Sequence, residues 1–126
     1  MKILLDTNFL VYCAKQKIDY AEEIINLTKG ESVVLSSVVL ELKKLAEKAK
    51  KARDKDAAKL ALQILGKNIK ENKIKVLQAE EKADETIISL AGKQDIVATL
   101  DKELKNRLKG KARILTIRRG KKLEIL

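Results

Sequence analysis

The chain contains no histidine. That absence removes Ser-His-Asp and Cys-His hydrolysis and the common zinc sites, which depend on imidazole or several thiolates. Cysteine occurs once, at Cys13, so no disulfide can close within the chain. A lone thiol between Tyr12 and Ala14 reads as a buried structural residue and suits a reducing compartment. No apolar run approaches the ~18–20 residues that span a bilayer. The opening MKILLDTNFL carries an acid at position 6 and so lacks the continuous apolar region of a signal peptide. These absences place the chain in the cytoplasm with no membrane partner. Proline is also missing. Its absence gives no support to the thermophilic source that the many Lys and Glu residues would suit.

What is present fits one domain. The 126 residues, 45% of them hydrophobic, suffice for a single core and argue against disorder. Charged residues reach 37%, against about 25% in an average domain, and the net charge is +10. Much of that charge is concentrated. Between Lys102 and Lys122 stand ten Lys or Arg against the single acid Glu103, a net of +9. Such a field attracts polyanions, RNA among them, although a solvated surface has the same composition. Any metal bound without histidine is held by oxygen, which points to Mg²⁺ or Mn²⁺.

Short apolar runs at 2–6, 32–36, 74–77, 95–100 and 113–117 read as buried strands, and 123–126 as a further short one. Helical stretches at 7–15, 20–29, 37–50, 53–72, 82–93 and 102–109 lie between them, with Gly30 and Gly110 as helix stops. Strands alternating with helices predict an α/β chain, a parallel sheet covered on both faces. The helix at 53–72 is apolar over roughly 200°. Either a homodimer interface or the chain's own core accounts for that arc.

Four acids stand in awkward places. Asp6 closes the first strand, where a parallel sheet presents its crevice, although a helix cap has the same position. Glu41 falls on the rim of an apolar stripe formed by Val38, Leu42, Leu45 and Ala49. Asp84 has Ile87, Ile88 and Ala91 at spacings of three, four and seven, which puts it at the centre of an apolar face. A carboxylate there without a partner costs several kcal/mol, so it must pair, bind a cation or cap its helix. Asp101 opens the last helix, with Thr99 two residues earlier able to orient it. A parallel topology brings all four to one edge. Two carboxylates at about 4 Å repel by about 4 kcal/mol at an effective dielectric near 20, a cost that a divalent cation relieves. Beside a strongly basic segment, such a cation implies metal-assisted hydrolysis of a phosphodiester, with Lys and Arg holding the backbone.

The segments LLDTNFLV at 4–11, SSVVLELKKL at 36–45, ADETIISLA at 83–91 and IVATLDKELKNRLK at 96–109 resemble the four acidic blocks of PIN-domain ribonucleases. The resemblance implies a three-layer α/β/α sandwich around a parallel sheet of about five strands. It further implies a Mg²⁺/Mn²⁺-dependent endoribonuclease site. The family's four acids fall on Asp6, Glu41, Asp84 and Asp101. Its helper Asn and Thr fall on Asn8 and Thr99, and Glu103 matches an acid found in some members. The last block looks most like the branch holding archaeal VapC-like proteins and eukaryotic small-subunit ribosomal RNA-processing nucleases, though Leu100 stands where that branch often has Asn. That branch leaves open a toxin restrained by an antitoxin protein or a processing nuclease.

Lys105, Arg107, Lys109, Arg118 and Arg119 are the expected RNA contacts. A non-catalytic RNA-binding domain is the competing class, one whose members usually lose an acid. A receiver-like domain would need an acidic pair before its first helix and a phosphoacceptor Asp after its third strand. The chain offers neither.

Overall fold

Strand β1 (Lys2–Leu5) explains the architecture that follows. Ile3, Leu4 and Leu5 point alternately to opposite faces, yet all are buried, so the strand is covered on both sides. The computed structural model describes residues 1–126 and places β1 inside a six-stranded sheet of order β3-β2-β1-β4-β5-β6. The others are β2 (Glu31–Leu35), β3 (Ile74–Leu77), β4 (Ile96–Ala98), β5 (Arg113–Arg118) and β6 (Lys122–Ile125). β1 pairs in parallel with β2, Ile3 opposite Ser32, and with β4, Leu5 opposite Ala98. β3 and β5 extend the parallel set, and β6 returns antiparallel to β5. The expected five parallel strands are therefore present, and the short terminal strand makes a sixth.

Six helices connect these strands: α1 (Thr7–Gln16), α2 (Tyr20–Thr28), α3 (Ser36–Lys48), α4 (Ala52–Lys70), α5 (Ala83–Leu90) and α6 (Lys102–Arg107). None is long and apolar enough to cross a membrane. Topology decides where a site can lie. The chain steps outward from β1 to β2 to β3, then returns to place β4 on β1's other side. The gap beyond the carboxyl ends of β1 and β4 is the switch point, where open α/β sheets bind ligands.

Several details differ from the sequence reading, each for a local reason. Lys29, not Gly30, takes the left-handed cap of α2, at φ 55°. At Gly30 a Cβ would lie 2.5 Å from Cδ1 of Ile3 and 3.1 Å from the Met1 carbonyl oxygen, so any side chain there would force Ile3 to shift. β3 is not a buried strand. As the sheet's edge it buries Ile74 and exposes Lys75 and Val76. On α3 the buried stripe is Val38, Leu42 and Ala46, while Leu45 is 40% exposed.

α4 buries Ala57, Ala58, Ala61 and Leu65, packing on α1 and α3. The chain's own core thus absorbs most of its apolar arc, and Leu60 is left as its exposed large apolar residue. Cys13 is buried, as expected of a structural thiol.

Candidate active site

Asp6 follows β1 as the N-cap of α1, with extended backbone at φ −87°, ψ 157°. Its carboxylate is held on both oxygens. Oδ1 accepts the Thr7 N–H at 2.9 Å, and Oδ2 accepts the Thr99 hydroxyl at 2.7 Å. Thr99 is fully buried just beyond β4, so the ends of the two central strands are tied together through Asp6. Burial pushes the Asp6 pKa up to about 6. The Thr99 and Thr7 hydrogen bonds oppose the rise, and the Asp84 and Glu41 charges add to it.

Asn8 and Asp101 are fixed to the same corner. Asn8 Oδ1 accepts the Leu100 N–H at 3.2 Å, and Thr99 Oγ1 accepts the Asp101 N–H at 3.1 Å. Asp101 caps α6 through Oδ1, which accepts from the N–H groups of Glu103 at 2.9 Å and Leu104 at 3.4 Å. Capping and facing the cleft are thus compatible, because only one of its oxygens is used.

Glu41 reaches the corner from α3, where its Oε2 accepts the Thr7 hydroxyl at 2.8 Å. Asp84 arrives on α5, whose preceding loop is tied to the start of α3. Ser36 Oγ accepts the Ala79 N–H at 2.9 Å and donates to the Ala79 carbonyl at 3.1 Å.

Asp84 does not occupy the centre of an apolar face. The short helix buries Ala83 and Ile87, with Ala91 just beyond, and that rotation turns Asp84 outward into the cleft. Its pKa is nevertheless raised, first by partial desolvation and then by the charges of Asp101 and Glu41.

All four acids line one open cleft of about 920 Å³. No three of them stand close enough together to hold a metal ion by side chains alone. A hard cation such as Mg²⁺ keeps several waters and takes one or two carboxylates directly, so it would reach the remaining acids of the cleft through water. The donor set is oxygen throughout. Mutual repulsion at Asp6 and Asp84 is the electrostatic condition that a cation would relieve.

The family profile described as "PIN like domain" matches residues 3–121. The chain belongs to this family. It is 40% identical to "Ribonuclease VapC4" of Methanocaldococcus jannaschii over 130 aligned residues, covering 98% of this chain and 95% of that protein. Among solved structures it resembles "Structure of the PIN domain endonuclease Utp24", with a TM-score of 0.75 and 29% identity. That match covers 99% of this chain and 92% of the other.

The remaining expected residues of this PIN-like domain fall into two groups. Glu103 is exposed on the first turn of α6, outside the cleft lining, although its charge reaches Asp84. Of the basic residues, Lys105 donates to Thr116 Oγ1 at 3.0 Å, and Arg107 forms a forked pair with Glu85 at 3.0 and 3.2 Å. Arg118 pairs with Glu124 at 2.6 Å. Lys109 and Arg119 are exposed, Arg119 at the β5–β6 turn with φ 50°.

Sequence reasoning missed Thr7, which holds Glu41. Its position between Asp6 and Asn8 is a local hint, but its partner lies 34 residues away. It also missed Tyr12, Lys15, Asp54, Lys82 and Glu85, all of which line the cleft.

Proposed function

We propose that this PIN-like domain is a metal-dependent endoribonuclease acting on single-stranded RNA. The observation carrying the reading is the convergence of four carboxylates, from four separate segments, at the switch point of the sheet. The ribonuclease and endonuclease named above support it. Asp6, Glu41, Asp84 and Asp101 are the proposed holders of Mg²⁺ or Mn²⁺, one or two of them directly and the others through its waters. When bound, such a cation supplies Lewis acidity toward a phosphoryl oxygen and makes a nearby water more acidic.

The chain's own residues set the stage for that chemistry. Thr99 and Thr7 keep Asp6 oriented, and Thr7 also draws Glu41 toward it. Asn8 fixes the turn at Leu100 so that Asp101 enters the cleft. No imidazole is present to take a proton, so the carboxylates are the available proton acceptors.

Exposed Lys109 and Arg119 are offered to the RNA backbone, where phosphate contacts position without reading sequence. Lys105, Arg107 and Arg118 already have protein partners, with which phosphates would share or compete for their N–H donors. Incubation of labelled single-stranded RNA with the protein tests the reading. Internal cleavage in Mg²⁺ or Mn²⁺ and none in excess EDTA is expected.

Two settings suit such an activity in the cytoplasm: a toxin held in check by an antitoxin protein, and a nuclease that processes ribosomal RNA. A small overlapping reading frame with a DNA-binding pattern beside this gene favours the first, and its absence the second.

A further inference from the structure

The chain has three aromatic side chains, Phe9, Tyr12 and Tyr20. Phe9 and Tyr20 meet edge-to-face in the core, ring centroids 6.1 Å apart, and are buried at 0% and 2% exposure. Tyr12 is different. It is half-buried on α1 and lines the acidic cleft. Asn8, Tyr12 and Lys15 share one face of that helix, at spacings of four and three. Tyr12 therefore stands about 6 Å along the axis from Asn8, beside the acids but not among them.

Two surroundings give this position meaning. Val11, Leu45 and Ala49 line the same cleft, and Leu45 keeps 40% of its surface exposed there. An open apolar wall has no obvious purpose in holding a cation, whereas the flat face of a nucleobase gains by leaving water against it. On the other side, a Cβ at Gly120 would lie 3.9 Å from the Tyr12 hydroxyl oxygen. The β5–β6 turn thus lies against the phenol, bringing exposed Arg119, Lys121 and Lys122 to that end of the site. A strand whose phosphate sits at the acids and whose backbone runs toward this turn passes over Tyr12. The hydrogen bonds that order the acidic corner are made by Thr7, Asn8 and Thr99, so the ring is not consumed in building it.

We propose that Tyr12 is a stacking platform for the base of a nucleotide next to the scissile phosphate. The inference rests on the RNA-cleaving reading and deepens it by naming a substrate contact apart from the acids. Stacking uses the ring face, and every base has one, so Tyr12 adds affinity and register with little choice of sequence.

The test uses single-stranded oligoribonucleotides with an abasic site moved one position at a time. Affinity is measured in Ca²⁺ for the wild-type protein, Tyr12→Phe and Tyr12→Leu. The wild type and Tyr12→Phe should lose roughly five- to a hundredfold at one position, the scale of a base–aromatic stack. Tyr12→Leu should bind intact RNA more weakly by a similar factor and show no further loss at that position.

Tyrosine fluorescence provides a second readout in a variant that keeps the core packing. RNA should quench the wild-type signal and leave Tyr12→Phe unquenched, because Tyr20 is buried. An abasic profile in Tyr12→Leu identical to the wild type's, or a flat profile in the wild type with RNA still bound, overturns the platform and leaves the ribonuclease reading standing. Absence of RNA binding by the wild type overturns both.

Discussion

Thr99 donates its hydroxyl proton to Oδ2 of Asp6 at 2.7 Å, across 93 residues of sequence. The bond does two things. It fixes the carboxylate at the switch point, and it favours the charged form that burial opposes. Thr99→Val keeps the shape and removes the donor, so the Asp6 pKa should rise above about 6. The acid limb of the cleavage–pH profile should move to higher pH, and Thr99→Ser should restore it. A shift common to Val and Ser would assign the effect to packing.

The raised pKa of Asp6 also links stability to pH. Its folded value of about 6 exceeds the unattached value of 3.8, so the metal-free folded state holds the proton more tightly than the unfolded chain. That contribution is fully present below about pH 4 and is lost as pH rises through 6. Asp6→Asn, which cannot ionise, should gain stability relative to wild type over this window. At pH 7 the gain should be about 1–2 kcal/mol, discounted from the full shift because the variant weakens one hydrogen bond. Paired thermal unfolding curves in EDTA at pH 4.5 and 7.5 check the sign. A variant less stable at both pH values would contradict it.

Glu85 and Arg107 form a forked ion pair at the rim of the cleft, and the pairing lowers the Glu85 pKa. If RNA draws on Arg107, Glu85 competes with it for the guanidinium. Glu85→Gln should therefore tighten RNA binding several-fold in Ca²⁺ and steepen its salt dependence by about one counterion. Affinity titrations at two salt concentrations measure both. Unchanged curves would mean that Arg107 only braces α6 against α5.

The strands were legible because burial on both faces writes itself as continuous apolar runs, as in KILL and SVVL. The order of the acids was legible because parallel strands deliver their ends to one edge. Asp84 shows where the pattern failed. Its eight-residue helix carries four apolar residues, Ala83, Ile87, Ile88 and Leu90, and either of two faces could have been the buried one; packing of Ala83 and Ile87 chose between them.

Thr7 shows a different limit. A hydroxyl partner 34 residues away leaves no periodic trace in sequence. The basic segment was visible as charge, but which cations are already paired is a tertiary fact. Arg118 meets Glu124 only because β6 folds back on β5.

The central claim is that the clustered acids work by holding a divalent cation against RNA. The rate of internal cleavage of labelled single-stranded RNA should be followed as Mn²⁺ is titrated into wild type, Asp84→Asn and Asp101→Asn. The account predicts saturable cleavage in the wild type, none in EDTA, and a loss of at least tenfold in both variants. Asp84→Asn should be at least as stable as wild type, since it relieves the repulsion among the acids. Asp101→Asn should stay folded, since Asn keeps the cap of α6. Robust cleavage in EDTA, or folded variants cutting at the wild-type rate, would contradict the account.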